Sequence, residues 1–571
     1  MSLPKWPPSL SDEELAELKL QGATYALSNG FCYLPVVPTG QTPPSVPAAA
    51  IHAPFALFPT PFPRTLFNHA KSLQQIYNVL YARVASDEEF LDSVLSAETG
   101  VGRVDTFVGE LWKIWEELRT EGLIQPLQLG IFRSDYLLHD NQGNLSLKQV
   151  EFNTISASFG ALSQGIDGLH RHVLLIQTYA NLPPNDTLEQ IVQGLVQAHK
   201  AYISPESPPN TVTDFSASKN NIRILFVVQP NERNVFDQRF LEYELLKRHG
   251  IHVIRRTFDE LETQATLQDS DGSRKLLISS RTSSTPIEIS VVYFRAGYTP
   301  TDYPTPTQFE TRKKLERSRA IKCPSIALQL AGSKKIQAVL SNPGVAESFL
   351  FTEKWDRAAR DSNPHSFCAK DVDALRESWM DMWGLEEEGG VESAKERAMH
   401  LVLKPQREGG GNNVYKASIL PFLDTLNDKE KEAWIAMELI RVPAGVQNWL
   451  VRSGSDAVKA NVVSELGIFG WALFGSKNND GKLCTSLQEG SGGYLLRTKG
   501  EDSDEGGVAT GFSVLDSVIL TGSWMFRTGN MGFWLVESFL YDLFPIVVHK
   551  FLSLRLAVVV TAQLMNSFRT L

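Results

Sequence analysis

The stretch Leu403-Lys404-Pro405-Gln406-Arg407-Glu408-Gly409-Gly410-Gly411-Asn412-Asn413-Val414-Tyr415 decides how this chain is read. A lysine ends an apolar run, Leu401 to Leu403, that reads as a buried strand. A carboxylate then stands beside three consecutive glycines and two asparagines. Glycines let backbone N–H groups approach an anion closely and leave the loop free to move. Lysine neutralises phosphate charge, and a glutamate can hold the magnesium that accompanies phosphate. The combination predicts a nucleotide site closed by a flexible lid; the plainer alternative is a solvated glycine hinge between two strands. It is not a Walker loop, because no Gly-Lys-Ser or Gly-Lys-Thr follows the glycines and the flanks read as strands.

Working outward, 571 residues are too many for one ordinary core, so several domains are expected. Hydrophobic content of 42% and charged content of 21% place the chain among globular proteins. A net charge of −10 argues against nucleic acid as a partner, since there is no basic surplus to displace counterions. Cys32, Cys323, Cys368 and Cys484 are scattered, which fits a reducing compartment and disfavours a zinc site or disulfide framework. The first residues carry no apolar signal-peptide core, so a cytoplasmic location is expected.

Ser11 and Glu14 form a capping-box pattern that opens a helix running towards Gly30. Residues 34–64, rich in proline, read as an extended surface connection rather than a core element. Helical periodicity is expected over 65–122 and 162–203. Between them lies a hairpin of Leu127–Phe132 and Leu145–Asn153. Strict alternation there puts Gln149, Glu151 and Asn153 on one face, with Val150 and Phe152 turned into a core. Glu151 and Asn153 on one side suit a hard cation, although this segment taken alone reads better as a solvent-facing polar edge.

Residues 203–220 read as a linker. A βαβ unit follows: strand Ile222–Val228, helix Phe236–Arg248 stopping at Gly250, and strand Ile251–Ile254. Glu232, Arg233, Asn234 and Gln238 then lie beyond one strand end, and Arg295 and Tyr298 beyond another, where α/β sheets collect ligands; taken one by one, each reads better as an ordinary surface-loop residue. Residues 307–341 read as helical. Strands resume at Leu401, and Trp434–Ile440 and Ala460–Phe469 carry Glu438 and Glu465 inside apolar runs, where an unpaired carboxylate is costly. Leu495–Lys499 adds two cations ahead of an acidic, glycine-rich loop.

The stretch from Lys404 to Asn413 resembles the glycine-rich loop of the eukaryotic glutathione synthetase family, part of the ATP-grasp superfamily. Further blocks agree in order: Glu-Phe-Asn-Thr-Ile-Ser-Ala-Ser-Phe-Gly at 151–160, Glu-Arg-Asn-Val-Phe-Asp-Gln-Arg at 232–239, and Val-Val-Tyr-Phe-Arg at 291–295. So do Cys-Pro at 323–324, Gln-Leu-Ala-Gly-Ser-Lys-Lys at 329–335, Ser-Glu-Leu-Gly-Ile-Phe-Gly at 464–470 and Leu-Leu-Arg-Thr-Lys at 495–499.

The resemblance implies an α/β, multi-domain ATP-grasp fold with an inserted small α/β substrate-binding domain and a glycine-rich lid. The parts expected are an N-terminal helical and hairpin part (1–220), the α/β substrate domain (221–340), and the nucleotide-binding part with its lid (341–516). It implies ATP-dependent ligation of γ-glutamylcysteine and glycine through an acyl phosphate, with two magnesium ions and a homodimer. Glu151, Asn153 and Glu408 match metal positions. Glu151, Lys334, Lys404, Gly409, Gly410, Gly411, Asn412, Asn413, Tyr415, Met437, Glu438, Leu439, Ile440, Glu465, Lys499 and Glu505 match nucleotide positions. Arg133, Ser156, Ser158, Glu232, Asn234, Gln238, Arg295, Tyr298 and Arg497 match peptide-substrate positions, with Arg133, Lys404 and Arg497 in the catalytic set. Val508 and Ala509 match positions beside glycine, and their small side chains would also admit β-alanine. A homologous ligase using another terminal amine, or a binding protein impaired by its C-terminal segment, are the alternatives.

Two departures stand out. Ala296 and Glu505 each replace an aspartate of the family pattern. Residues 517–571 fall outside that pattern and carry few charges. They read as translated non-coding sequence, with a weak membrane anchor or an added helix as alternatives; Arg555 interrupts the best apolar run, so membrane association is not expected.

Overall fold

The computed structural model describes residues 6–37, 40–41, 46–174, 181–203, 221–270, 272–279, 285–351, 367–408, 411–477, 483–484, 488–503, 507–508 and 511–522. All belong to one unit, Lys5–Gly522. The expected linker at 203–220 beyond Ile203, which ends a helix, nearly all of the segment after 516, and Gly409, Gly410, Glu505 and Ala509 lie outside the described residues.

Among the described residues a 13-stranded mixed sheet runs through the unit. Its middle is antiparallel. Asn144–Asn153 pairs with Gln128–Asn141, which pairs with Val458–Phe474, which pairs with Gln488–Gly500, which pairs with Ser513–Asp516. Gln128–Asn141 also meets Ile321–Cys323 in parallel, and that strand leads to Ile287–Phe294, Ile222–Val227 and Val253–Arg256, all parallel. Within Ile222–Val227 the four residues from Ile224 onward are apolar and buried, as expected where both faces of a parallel strand are covered. The following helix, Val235–His249, ends where Gly250 adopts φ 65°, a left-handed cap that glycine takes without a Cβ penalty.

A second, four-stranded antiparallel sheet holds the opening motif. Its order is Met382–Gly384, Trp434–Glu438, Leu401–Pro405, Val414–Tyr415. Val402 faces Tyr415 and Leu403 faces Val414, so the glycine-rich segment is the connection of a hairpin, as its strand-like flanks predict.

Alternation along the central strands feeds two cores. Phe132, Tyr136, Leu466, Ile468 and Leu496 point into one, with the helices Arg64–Ala85 and Thr106–Glu121. Leu129, Ile131, Phe469, Trp471 and Leu495 point into the other, with Thr187–Ile203. The N-terminal helix, Asp12–Ser28, carries the expected reciprocal capping box of Ser11 and Glu14.

Three expectations need correction. Residues 34–64 are not all a surface connection: Ala53, Phe55, Leu57 and Phe62 are buried, and Phe55–Ala56 is a strand of the large sheet. Some of the prolines that suggested a loop flank short strands, and Pro61 and Pro63 lie within one, Thr60–Pro63, which pairs with a single partner strand so that a missing N–H is tolerated. The region 307–341 is not wholly helical, because Ile321–Cys323 is a strand between the helices Pro306–Arg317 and Ile326–Ala331. Three residues are too few to show a period. Lastly, the unit continues past residue 516, since Val518–Thr521 pairs in parallel with Thr60–Pro63.

Candidate active site

Strand register gathers the site. Asn153 stands opposite Arg133, and Glu151 opposite Asp135. Across the next interface Phe469 stands opposite Arg133 and Gly467 opposite Asp135, and beyond that Glu465 stands opposite Arg497. Side chains of directly paired residues share a face. Arg133, Asp135, Glu151, Asn153, Glu465 and Arg497 therefore sit on one face of four neighbouring strands. Gly467 keeps that face open: a Cβ there would lie 2.7 Å from Arg133 Cδ and 2.8 Å from Asp135 Oδ1.

One expected detail fails. The register shifts between Asp135 and Tyr136, whose partners are Glu151 and Gln149, leaving Val150 as the extra residue of a bulge. Strict alternation does not run through it. Gln149 is buried, accepting a hydrogen bond from Trp379 Nε1 (3.0 Å), while Val150 is only half-buried. Phe152 is in the core as expected, stacked 4.1 Å from Tyr81. The bulge has a use, because the Val150 carbonyl accepts from Lys404 Nζ at 2.9 Å.

The Lys334 ammonium lies 3.2 Å from Glu151 Oε2 and 2.9 Å from Glu408 Oε1. Lys334 opens the helix Lys334–Ser341, which Ser333 caps. Its pKa is raised: burial opposes the charge, but the two carboxylates outweigh it. Burial pushes Glu151 up, yet Lys334, Lys404, Arg497 and Arg133 together bring it down to about 2. Glu408 goes the other way, raised by burial and by the Glu151 charge against the pull of Lys334. Burial, opposed mainly by Glu151, leaves Lys404 at about 8.

A second ionic group adjoins the first. Arg497 donates to Glu465 and, at 2.9 Å, to Asp135 Oδ2. Arg133 donates to both oxygens of Asp135, at 2.6 and 2.8 Å, and to the Ser158 carbonyl at 3.2 Å. The network then reaches the α/β part. Arg295 donates to Ser158 Oγ (2.6 Å) and the Ala157 carbonyl (3.1 Å), and Ser156 Oγ to the Phe294 carbonyl. Gln238 donates to Glu232 Oε2 (2.9 Å), whose other oxygen accepts from the Asn234 N–H (2.8 Å). Tyr298 is raised by burial and by nearby Asp302 and Glu232. Four cations (Arg133, Lys334, Lys404, Arg497) thus meet four carboxylates (Asp135, Glu151, Glu408, Glu465).

Further expected residues lie on the four-stranded sheet and on the strand that carries Arg497, or close to them in sequence. Asn413 Nδ2 donates to the Tyr415 hydroxyl (3.0 Å), and Gly411 takes φ 77°. Met437 and Glu438 lie on the strand beside Lys404, with Leu439 and Ile440 just beyond its end. Lys499 stands two residues past Arg497 on one strand, and Val508 is buried. Asn412 is exposed.

Sequence reading missed several contributors. Asp135 stands in the sequence two residues after Arg133 with nothing there to mark it. Gln406 ties the loop root down, accepting from the Lys335 N–H and donating to the Ala433 carbonyl, both at 3.0 Å. Arg407 pairs with Asp105, the N-cap of the Thr106–Glu121 helix. Asp302 accepts from the N–H groups of Gly297, Tyr298 and Thr299, so the turn after Arg295 keeps an acceptor although Ala296 provides none.

A mixed α/β fold with a charge-balanced cleft beside a glycine-rich hairpin defines a class: proteins that hold a phosphate-bearing ligand against a second anion. Residues 12–520 match the model of the eukaryotic glutathione synthase ATP-binding domain, and the chain belongs to that family. It is 36% identical over 542 residues to the glutathione synthetase large chain of Schizosaccharomyces pombe, covering 91% of this chain and all of that protein. It is 38% and 37% identical over 523 residues to the glutathione synthetases of Bos taurus and Homo sapiens, covering 90% of this chain and 98% of each. A glutathione synthetase-like effector from Globodera pallida, solved in its apo form, shares the fold at a TM-score of 0.65 and 22% identity, over 90% of this chain and 98% of that one.

Proposed function

We propose that this chain is a glutathione synthase, an ATP-dependent ligase that joins γ-glutamylcysteine to glycine and releases glutathione, ADP and phosphate. The observation that carries the reading is Lys334 held between Glu151 and Glu408, at the root of the glycine-rich loop, on a cleft that continues to Arg133 and Arg497. The family and its full-length relatives support the same reaction.

The cysteinyl carboxylate oxygen attacks the γ-phosphorus and ADP leaves. The amine of glycine then attacks the acyl carbon, phosphate leaves with the former carboxylate oxygen, and the amine loses a proton. Both reacting groups belong to substrates, so the protein supplies positioning and charge neutralisation. We assign Arg133 and Arg497 to the peptide carboxylate, with Ser156, Ser158, Glu232, Asn234, Gln238, Arg295 and Tyr298 holding the rest of the dipeptide. Lys334 and Lys404 take phosphate oxygens, Met437–Ile440 the base, and Glu465, Lys499, Tyr415 and Glu505 the remainder of the nucleotide. Val508 and Ala509 border glycine.

Glu151, Asn153 and Glu408 form an all-oxygen donor set of the kind a hard cation takes. Asn153 donates through Nδ2 to Asp135 and to the Arg133 carbonyl, which leaves Oδ1 for a cation. Among the described residues no three or more His, Cys, Asp or Glu side chains are arranged so that they alone could hold a metal ion, so phosphate oxygens and water would complete the donor sets of the two magnesium ions. Magnesium bound there would neutralise phosphate charge. An acyl phosphate hydrolyses readily, which gives the glycine-rich loop a reason to close as a lid over an ATP-grasp site. Residues 221–340 form the substrate domain in this reading and 341–516 the nucleotide part. A cytoplasmic homodimer is the state we assign. Among the described residues no helix is long and apolar enough to cross a membrane.

Oxygen-18 in the cysteinyl carboxylate tests the chemistry. One labelled atom should appear in the released phosphate; unlabelled phosphate formed alongside glutathione would contradict the acyl-phosphate route.

A further inference from the structure

Asp135 is fully buried, and its carboxylate accepts four hydrogen bonds. Oδ1 takes Arg133 Nε at 2.6 Å. Oδ2 takes Arg133 Nη2 at 2.8 Å, Arg497 Nη2 at 2.9 Å and Asn153 Nδ2 at 2.9 Å. A carboxylate oxygen offers about two lone-pair sites, so Oδ2 is fully taken and only Oδ1 keeps one over. With the residue fully buried, its ties are to protein groups. What it can do is fix three neighbours at once.

We propose that Asp135 is a positioning residue that aims the Arg133 and Arg497 guanidiniums at the peptide carboxylate and locks the Asn153 amide with its oxygen towards the cation. The inference rests on the ligase reading above. Two features make it specific. An asparagine amide can point either way, and its hydrogen-bond partners decide which. Asp135 only accepts, so it forces Nδ2 towards itself; the Arg133 carbonyl, at 3.2 Å, does the same. A guanidinium held side-on by a bidentate carboxylate also keeps a defined plane, and Arg133 presents its remaining Nη1 to Ser158, where Arg295 also docks. Gly467 leaves the space this arrangement needs.

Asp135→Asn tests it, because the shape is kept while the charge between the two guanidiniums is lost and an NH2 group is set against at least one donor, Arg133 Nε in the better of its two orientations. Dipeptide affinity, measured by calorimetry without ATP, should fall roughly 10- to 100-fold. The KM for dipeptide and the half-saturating magnesium concentration should rise together, with the KM for ATP held within about threefold of wild type. A folded D135N with wild-type dipeptide affinity and magnesium dependence would overturn the proposal. So would equal losses for dipeptide and ATP, which mark a general structural defect. If D135N does not fold, Gly467→Ala provides the second arm, pressing on Arg133 and Asp135 without removing a charge. It should raise the dipeptide KM with little change for ATP; a wild-type dipeptide KM, or a failure of this variant also to fold, overturns the proposal. Turnover by the unaltered protein is scored separately: its absence would strike the ligase reading, whereas a wild-type-like D135N strikes only this one.

Discussion

Lys334 Nζ lies 2.9 Å from Glu408 Oε1 and so ties the helix that begins at Lys334 to the root of the glycine-rich loop. The same ammonium is 3.2 Å from Glu151 on the large sheet. One cation holds two carboxylates that would otherwise repel each other.

Replacing that cation should expose the repulsion. Lys334→Met leaves Glu151 and Glu408 facing each other, each about a fifth exposed (side chains 23% and 22%). The loss should be about 2–3 kcal/mol, below that of a wholly buried pair. Magnesium should restore much of the melting temperature in the variant and do less for wild type. Equal magnesium shifts in the two proteins would argue against a cation site at these carboxylates.

Lys404 gives a pH signature. Burial holds its pKa near about 8, so the free enzyme carries the charge below that pH and loses it above. The KM for ATP should therefore rise as pH climbs through about 8, while the KM for dipeptide follows a different profile. Lys404→Ala should fold normally, lose at least about 100-fold in activity and lose this dependence of nucleotide binding.

The hairpin and the βαβ unit were legible because a short run announces each: apolar residues, then glycine or a polar loop, then a change of period. Lys404 and Glu465 were legible as charges in apolar strands, and Glu408 as a carboxylate beside three glycines. Asp135 was not, because its importance comes from partners at positions 153 and 497, which only the register brings together. The bulge at Val150 was invisible for a similar reason, since alternation is a property of an unbroken ladder. The burial of Phe55 and Phe62 was masked by prolines that serve short strands as readily as loops.

Asp516 sets a stability window. It is fully buried, accepts from the Thr60 and Thr498 hydroxyls at 2.7 Å each, and burial pushes its carboxyl up to about 7. The folded state thus holds a proton that the unfolded chain releases near its ordinary value of 3.8. This contribution is full below that value and is lost as pH rises towards about 7, at about 1.4 kcal/mol per pH unit. Asp516→Asn, whose NH2 can donate to the two hydroxyls, should flatten the fall in melting temperature between pH 5 and pH 7. An unchanged slope would show that other groups set it.

Asp105 allows the loop root to be loosened without unfolding a helix. Its carboxylate caps Thr106–Glu121 through the Val108 N–H at 3.0 Å and pairs with Arg407. Asparagine caps about as well as aspartate. Asp105→Asn should leave the melting temperature nearly unchanged and lower kcat roughly tenfold, because the proposed lid loses its anchor. A kcat at the wild-type level would separate the ion pair from closure.

The most direct measurement is phosphate release from ATP by the full-length protein with γ-glutamylcysteine, with and without glycine. Release that requires both substrates, with glutathione formed one for one, is the expected result. Release that proceeds equally well without either the dipeptide or glycine, or none under any condition, would contradict the assignment of this cleft to peptide ligation.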